Sequence, residues 1–411
     1  MAIVRPFCCV HPARGLECQI AALPYDVYSR EEARNAVKGR PLSFLHVDRP
    51  ETLFEPDQDM YAQEVYEAAK NRLWKMQEEG SLVKEASPVY YIYELTMDER
   101  SQTGIVGCAS IDDYENQVIR RHEDTRAEKE ADRIRHVDTC NAQTGPIFLA
   151  YRSHDKIREI VRETKKEKAE FRFTAEDGIC HAGWRVTKEE QLLALQKAFE
   201  EVGCVYIADG HHRAASAVRV GQMRRETHPE YDGTEEFNYF LSVLFPDEEL
   251  MIMDYNRVVK DLNGLTFEAF LEAVSEKFEI CMLKSARKPK QKGQIIMYLH
   301  GYWFRLKVKK EYIQDDPVEG LDVAYLQREL LEPVLGIQDP RTDERIDFVG
   351  GIRGLEELKR RADSDMEVAF AMYPTSIQEL FAVSDAGRLM PPKSTWFEPK
   401  LRSGLFIHEL T

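Results

Sequence analysis

The segment CVYIADGHHRAASAVRV joins an apolar, β-branched run to an alanine-rich run through the single glycine Gly210. The first run is typical of a buried strand and the second of a helix, with almost no chain left between them for a loop. A glycine at such a turn lets the backbone approach a ligand closely, and the N–H groups at the start of a helix attract anions. The segment therefore predicts an α/β protein that binds a ligand, phosphate in particular, at this turn.

The side chains of the same turn add chemistry to this backbone site. Asp209 precedes the glycine, and His211, His212 and Arg213 follow it. Arg213 adds positive charge, while a carboxylate and two imidazoles are suited to proton transfer or to metal coordination. In the structural alternative, Asp209 only caps the helix and the histidines are solvated. We favour the functional interpretation because two consecutive histidines and an arginine stand at one strand-to-helix turn.

A second cluster of charges lies in the segment IRRHEDTRAEKEADRIRH. Thr125 is placed to begin a helix over 126–140, in which basic residues recur at steps of three, four and three: Arg126, Lys129, Arg133 and His136. Side chains at this spacing share one face of a helix. They form either a functional basic stripe or an ordinary solvated face. His122 and Glu123 precede the helix start, where an anion could also bind.

Elsewhere the pattern alternates between helices and strands and indicates a mixed α/β (α+β) chain. Residues 59–78 place apolar side chains at helical spacing, and the runs PVYYIYELTM and GIVGCASIDDY around the polar DERSQT indicate a hairpin. A length of 411 residues implies more than one domain. The polar stretch RRETHPEYDGTEE places a boundary between a phosphate-binding domain at 1–228 and a second α/β domain at 229–411 that completes the cleft.

The charge balance limits the partners of the chain. Its 56 lysines and arginines stand against 72 acidic residues, and the resulting net charge of -16 disfavours nucleic acid and anionic membranes as partners. No secretory leader or membrane-spanning stretch is recognisable, so we expect a cytoplasmic protein. The eight cysteines include no C-x-x-C pair, which argues against a structural zinc site.

The remaining candidate sites carry weaker signals. DYNR, residues 254–257, contains Asn256 and Arg257 at the end of a predicted strand, where such a set more often forms only a turn. VGGIRG has paired glycines but lacks the lysine and serine of a Walker phosphate loop. The extended PPKSTWFEPKL, which carries Lys393 and Lys400, is either a binding loop or a packing arm.

Eight segments, in order along nearly the whole chain, resemble the bacterial and archaeal family called domain of unknown function 1015. They are MAIVRPFCCVHP, LPYDV, PLSFLHVDRPE, RHEDT with its downstream KEADR, TGPIFLAYRS, YIADGHHRAASA, MDYNRVVKDLNG and MPPKSTWFEPKLRSGL. Leu23 departs from the pattern, since a second proline is expected there. Within these segments, ADGHHR resembles the D-G-H-x-R turn of free-serine kinases of the ParB and sulfiredoxin-like superfamily, where the turn and the following helix hold nucleotide phosphates.

This resemblance implies a ParB/sulfiredoxin-like phosphate-binding core and a free-serine kinase that makes O-phosphoserine from L-serine. The implied cofactor is Mg²⁺, and the donor is ATP, ADP or pyrophosphate. The residues expected to bind the donor are Gly210, His211, Arg213, Arg126, Lys129 and Arg133. The catalytic candidates are Asp209, His212, Glu123 and Asp26. The base is left open among the three carboxylates, and Asp209 is the expected Mg²⁺ ligand.

The acceptor serine brings a carboxylate, an ammonium and a hydroxyl, so its pocket needs groups that complement each of them. The residues expected to contact it are Tyr25, Ser43, His46, His122, Asn256, Arg257 and Lys393. Two other functions compete with the kinase. One is a non-catalytic, ParB-like nucleotide switch, and the other is a metal-dependent hydrolase built on Asp209, His211, His212 and His122. The expected partner is a small molecule in each case, and the formation of a homodimer is left open.

Overall fold

The computed structural model describes residues 1–125 and 127–411, and these divide into two units. The first unit comprises residues 1–250 and 399–411, and the second comprises residues 251–398. The observed division differs from the expected boundary at 228/229. The polar stretch around that position is a loop that leads from the helix His211–Thr227 to Tyr239–Pro246, a strand inside the first unit's sheet. The return of residues 399–411 to the first unit is not indicated by any sequence pattern.

A mixed nine-stranded sheet forms the framework of the first unit. Eight strands lie side by side in the order Ile119–Arg120, Val205–Asp209, Ile147–Tyr151, Tyr239–Pro246, Arg100–Ser110, Tyr90–Met97, Cys180–Val186 and Phe171–Thr174, and Val4–Arg5 pairs with Arg100–Ser110. Two short strand pairs lie outside this sheet: Val10–Pro12 with Leu82–Lys84, and Ala142–Gln143 with His408–Glu409. Residues in the middle strands are buried whichever face they point to, as expected for a sheet covered on both sides.

The α-helices described in this unit are Glu17–Ile20, Arg30–Ala36, Leu45–Asp48, Gln63–Glu78, Ile111–Glu115, Ala127–Cys140, Asp155–Thr164, Glu189–Val202 and His211–Thr227. Short 3₁₀ turns lie at Tyr25–Val27, Pro50–Leu53, Glu236–Asn238 and Asp247–Glu249. The helix expected over 59–78 is thus observed at Gln63–Glu78. The helix expected over 126–140 is observed at Ala127–Cys140, and Arg126 lies outside the described residues.

The helix His211–Thr227 is the element that joins the predicted ligand site to the core. Its small side chains, including Ala214, Ala217 and Val218, pack against the sheet. Along its other side it packs against the helix Ala127–Cys140. Alanine favours the helix and keeps it close to its neighbours, which fixes the position of the helix start.

The second unit is built on a six-stranded antiparallel sheet. Its strands follow the order Phe278–Leu283, Tyr302–Val308, Gln294–Leu299, Val368–Ala371, Tyr255–Val259 and Ile346–Gly350, and Ile252–Met253 pairs separately with Trp396–Phe397. Its helices are Phe267–Lys277, Asp322–Leu326, the π-helix Gln327–Leu331, Gly354–Ala362 and Ile377–Asp385, with 3₁₀ turns at Lys310–Tyr312 and Gly351–Arg353.

The mixed α/β class expected from the sequence is confirmed, and the finer assignment to a ParB/sulfiredoxin-like core stays a prediction. Among the helices of the described residues, none is both long enough and apolar enough to cross a membrane.

The predicted hairpin is present, but its loop is shorter than the sequence indicated. Arg100 pairs directly with Met97, so the residues RSQT belong to the second strand and only Asp98 and Glu99 form the turn. Both turn residues have positive φ, 48° and 64°, as a two-residue type I′ turn requires. Glu99 is strained there because its β-carbon crowds the following backbone in this conformation.

Replacing Glu99 by glycine should therefore stabilise the first unit. We expect Glu99→Gly to raise the free energy of unfolding by about 0.5–1 kcal/mol, since the relief of left-handed strain outweighs the added freedom of the unfolded glycine. Urea denaturation followed by circular dichroism measures this change. Glu99→Ala is the control and should give no gain, because it keeps a β-carbon. An equal gain from both variants would contradict the explanation.

Candidate functional site

Three segments that lie far apart in the sequence meet at one edge of the first unit's sheet. The strand Val205–Asp209 runs parallel to Ile119–Arg120, so the chain that follows Arg120 lies beside the end of this strand. The same strand runs antiparallel to Ile147–Tyr151, with Asp209 opposite Phe148. The residues just before Ile147 therefore lie at the same edge. This register brings together 121–125, 144–146 and the five residues Asp209–Arg213, which we call the glycine turn.

The glycine turn has the backbone geometry that the sequence predicted. Gly210 adopts a left-handed conformation, with φ 90° and ψ 34°, and directly precedes the 17-residue helix His211–Thr227. The first bond of this helix runs from the N–H of Ala214 to the Gly210 carbonyl, over 2.9 Å. A β-carbon at Gly210 would lie 3.0–3.1 Å from guanidinium atoms of Arg213. The backbone conformation favours glycine here, and a β-carbon would also press on the Arg213 side chain.

Asp209 forms an ion pair with Lys400, which comes from the C-terminal segment of the same unit. Lys400 Nζ lies 3.1 Å from Asp209 Oδ2, and the N–H of Gly210 donates to Asp209 Oδ1 over 2.9 Å. Burial alone would raise the pKa of Asp209, but the positive charges of Lys400 and Arg213 outweigh it and hold the pKa well below its ordinary value. Asp209 is therefore a stable carboxylate, and both of its oxygens are engaged.

Arg213 lies in the first turn of the helix and is held by the loop before Ile147. Its Nη1 donates to the carbonyl of Pro146 over 2.6 Å. A β-carbon at Gly145 would lie 3.1 Å from Ser403 Oγ, which is a tight contact, and 3.6 Å from Arg213 Nη1, which is an ordinary one. The acceptor of the Pro146 hydrogen bond is neutral, and the guanidinium charge of Arg213 acts on the nearby Asp209 carboxylate.

Beside Arg213 lies a small cavity, which we call the basic cavity. Its lining residues are Tyr25, Asp48, Arg133, His136, Val137, Gln143, Thr144, Gly145, Ile147, Arg213, Ser216, Ala217 and Ser403. Two of the four residues of the predicted basic stripe, Arg133 and His136, are buried in this wall. Lys129 is exposed, and Arg126 lies outside the described residues. The stripe is thus a buried wall at its C-terminal end rather than a solvated face.

The charges of the basic cavity are held in place by local contacts. Arg133 pairs with Asp132, with Nε and Oδ2 2.9 Å apart, and its guanidinium lies 4.1 Å from the ring centre of Tyr25. Asp48 accepts a hydrogen bond from Thr144 over 2.7 Å. Burial raises the pKa of Tyr25 to about 12, so its phenol is neutral and can donate a hydrogen bond.

On another side of the glycine turn, His122, Glu123 and His211 form a group that we call the histidine cluster. The two imidazole rings meet edge to face, with centroids 4.5 Å apart. Burial lowers the pKa of His122 to about 4. Burial and the neighbouring His122 also hold the pKa of His211 well below its ordinary value. Both imidazoles are therefore neutral at physiological pH.

A family model described as "Protein of unknown function (DUF1015)" matches residues 4–324. The chain belongs to this family. The matched range contains the histidine cluster, the loop before Ile147 and the glycine turn, whereas Lys400 and Ser403 lie beyond it. The resemblance predicted from the eight segments is thereby confirmed.

Solved structures with distant likeness to the chain include the following three. Among solved structures, a free serine kinase variant in complex with AMP is similar at a TM-score of 0.38 and 14% identity, covering 74% of this chain and 92% of that one. A C-terminally truncated SbnI from Staphylococcus aureus gives 0.40 and 11%, covering 74% and 87%. A conserved hypothetical protein from Pyrococcus furiosus gives 0.35 and 14%, covering 74% and 95%. No curated protein matches the chain.

Several residues expected at the site of this DUF1015 protein lie around it, and others do not. His212 is half-buried in the first helical turn, where its carbonyl accepts the hydroxyl of Ser216 over 2.8 Å. Asp26 is exposed in the 3₁₀ turn Tyr25–Val27, next to the cavity-lining Tyr25. Glu123 is half-buried in the histidine cluster.

Ser43 and His46 do not line the basic cavity. Ser43 Oγ accepts the N–H of Leu45 over 3.3 Å and lines a different cavity, together with Arg402. His46 lies 3.3 Å from the hydroxyl of Thr52. The reason is the one-turn helix Leu45–Asp48, from which Asp48 rather than His46 lines the basic cavity.

The three remaining acceptor candidates lie in the second unit. Asn256 is fully buried, donates to Asp254 over 2.7 Å and accepts the N–H of Met372 over 2.9 Å. Arg257 is also buried and donates to the carbonyl of Lys393 over 3.1 Å, and burial lowers its pKa to about 10. Lys393 itself is exposed. Asn256 and Arg257 thus have structural partners within their own unit, and a substrate role for any of the three stays a prediction.

Sequence reasoning places Lys400 only in an extended C-terminal segment and does not identify the other residues that complete the site from a distance. Lys400, Ser403, Asp48, Thr144 and Gly145 all lie in segments that carry the family resemblance. That resemblance was the available signal, because a spacing rule detects only partners on the same strand or helix. Each carboxylate oxygen of Asp209 accepts one hydrogen bond, from Lys400 and from the N–H of Gly210, and the expected Mg²⁺ site on Asp209 stays a prediction.

The ion pair of Asp209 should be visible as a pH-dependent contribution to stability. We expect Lys400→Met to lower the free energy of unfolding by about 2 kcal/mol near neutral pH, because it leaves a largely buried carboxylate with less compensation. The folded pKa of Asp209 is depressed, so its stabilisation is present above the unfolded pKa and is lost as pH falls. The difference between the two proteins should therefore shrink below about pH 4.

Urea denaturation at a series of pH values measures this difference. Lys393→Met removes an exposed lysine from the second unit and serves as the control, with a loss near zero at every pH. A deficit in Lys400→Met that is the same at pH 3 as at pH 7 would show that Lys400 acts through packing rather than through Asp209.

Proposed function

We propose that this protein is a phosphotransferase that moves a phosphoryl group from a nucleotide or pyrophosphate to the hydroxyl of L-serine, forming O-phosphoserine. The proposal is supported by two independent features. One is the likeness of ADGHHR to the phosphate-holding turn of free-serine kinases. The other is the local geometry of that turn, which presents a helix start, an arginine and a lysine to one region of the first unit.

The observation that carries the proposal is the left-handed Gly210 at the start of a long helix with Arg213 in its first turn. Without a β-carbon, the backbone before the helix can be approached closely by an anion. The N–H groups at the start of the helix precede the first intrahelical bond and carry the positive end of the helix dipole. Arg213 adds a full positive charge to the same place. This set suits the terminal phosphates of a donor.

Phosphoryl transfer needs positioning and charge neutralisation more than covalent help from the protein. Arg213 and Lys400 stand on the side of the glycine turn, and the buried Arg133 lies across the basic cavity. Asp209 orients Lys400 and is not suited to accept a proton, because its pKa is held low. We therefore assign Asp209 to positioning and exclude it as the general base.

For the general base we propose Asp26. Its backbone neighbour Tyr25 lines the basic cavity next to Arg133 and Arg213, so a serine in this cavity would place its hydroxyl near the same turn. Asp26 is exposed, and a proton that it accepts can pass to solvent. Mg²⁺ would arrive with the donor and neutralise its phosphates.

Phosphoserine formation is the direct test. Purified protein should make O-phosphoserine from L-serine with Mg²⁺ and one of ATP, ADP or pyrophosphate, detected by mass spectrometry. Ethanolamine and lactate should be poor acceptors, because each leaves one charged group of the pocket unpaired. Asp26→Asn should lower kcat by roughly 10² to 10⁴, whereas Glu31→Gln, a nearby exposed carboxylate, should not change it.

Two outcomes of this assay would redirect the proposal. Full turnover by Asp26→Asn would reject Asp26 as the base. Nucleotide binding with no phosphoserine from any donor would reject the kinase and support the nucleotide-binding regulator.

A second prediction tests phosphate binding at the glycine turn alone. Gly210→Val should weaken ADP binding at least tenfold in isothermal titration calorimetry, because the new side chain fills the approach to the helix start and displaces Arg213. Gly203→Val is the matched control. Gly203 also has positive φ, 82°, but a β-carbon there would meet nothing within 4 Å. Equal ADP affinity in folded samples of both variants would contradict phosphate binding at Gly210.

A further inference from the structure

The histidine cluster has a donor set that the proposed phosphoryl transfer does not use. His122, Glu123 and His211 each offer one ligand atom, and these atoms all lie within 4.8 Å of one another. His122 and His211 are almost completely buried, at 2% and 7% exposure, and Glu123 is half-buried. Atoms bound to one metal ion with bonds of about 2.0–2.2 Å lie at most about 4.4 Å apart, so these donors are near the spacing of a single site and would close slightly around an ion.

The cluster is created by the sheet register and not by a local sequence motif. His122 and Glu123 follow the strand Ile119–Arg120, and His211 follows the parallel neighbouring strand Val205–Asp209. The parallel pairing places both strand ends at one edge, so the two rings meet at 4.5 Å. The N–H of His122 reaches His211 Nε2 at 3.5 Å, a length at which a hydrogen bond is weak.

The surroundings of the cluster resemble those of metal-binding histidines. The ring of His122 is hydrogen-bonded to the backbone carbonyl of Ile207. Such a bond fixes the ring orientation, as is usual for metal-bound histidine. The negative charge of Asp209 acts on both histidines and favours a cation between them. Arg121 opposes this in part, but its side chain is hydrogen-bonded to Tyr114.

The donor atoms also indicate which metal fits. Mg²⁺ prefers an all-oxygen shell and usually keeps several waters, so two imidazoles suit it poorly. Imidazole with one carboxylate suits divalent first-row transition metals, and zinc commonly takes two histidines and a glutamate while leaving a position open.

We propose that His122, Glu123 and His211 bind a divalent transition-metal ion, best matched by Zn²⁺, at the edge of the sheet beside the glycine turn. The remaining coordination positions would be taken by water or by a phosphoryl oxygen held at the helix start. The inference does not rest on the proposed kinase activity. It assigns Glu123 to metal binding, which is consistent with Asp26 as the general base.

Metal binding can be measured without any activity assay. Protein treated with a chelator and dialysed should bind one equivalent of Co²⁺, with visible d–d absorption, and Zn²⁺ should displace it. Glu123→Gln, which keeps the side-chain shape, and His211→Asn should each weaken Co²⁺ binding at least tenfold. Asp124→Asn, which changes the adjacent exposed carboxylate, is the matched control and should bind as the wild type does.

Circular dichroism establishes that each variant is folded, and Glu123→Gln keeps the test decisive if His211→Asn does not fold. Absence of one-equivalent Co²⁺ binding would overturn the proposal. Full Co²⁺ binding by folded Glu123→Gln would also overturn it, because the metal would then lie elsewhere, for example on the free cysteines. Stoichiometric binding without phosphoserine formation would keep the metal site and reject the kinase. Phosphoserine formation by protein that binds no Co²⁺ would support the kinase and reject the metal site.

Discussion

The ion pair between Asp209 and Lys400 connects the two halves of the candidate site. Asp209 ends a buried strand, and Lys400 begins the C-terminal segment that returns to the first unit. Backbone bonds between Ala22 and Ser403 and between Val10 and Ile407 hold that segment along its length. The pair therefore positions both a cation beside the glycine turn and Ser403 in the wall of the basic cavity. Its stability depends on Asp209 staying ionised, which the neighbouring positive charges ensure.

The charge pattern explains how an acidic protein can present a site for an anion. The chain carries a net charge of -16, yet Arg133, Arg213 and Lys400 gather in one region of the first unit. Arg133 and Lys400 are each paired with a carboxylate, which offsets the cost of placing their charges in a partly buried region. Arg213 donates to the backbone carbonyl of Pro146, and its charge also acts on the nearby Asp209 carboxylate. A site of this kind selects anions locally while the rest of the surface repels polyanions.

The sequence predicted those parts of the site that are set by one strand or one helix. The turn at Gly210 and the shared helix face of Arg133 and His136 followed from spacing, because helical and strand periodicity are local properties, whereas the burial of that face did not. The partners of Asp209 and Arg213 could not be predicted this way, because Lys400 and the Pro146 carbonyl reach the turn through strand register and chain return. The same limit applies to Ser43 and His46, whose orientation depends on a single helical turn at Leu45–Asp48.

The central claim is that the start of the helix His211–Thr227 holds the phosphates of a donor. A crystal structure of the protein with a non-hydrolysable nucleotide triphosphate and Mg²⁺ tests this most directly. We predict that the terminal phosphates lie within hydrogen-bonding distance of the backbone N–H groups that follow Gly210 and of the Arg213 guanidinium. A nucleotide bound elsewhere, with those groups contacting only protein or solvent, would contradict the account.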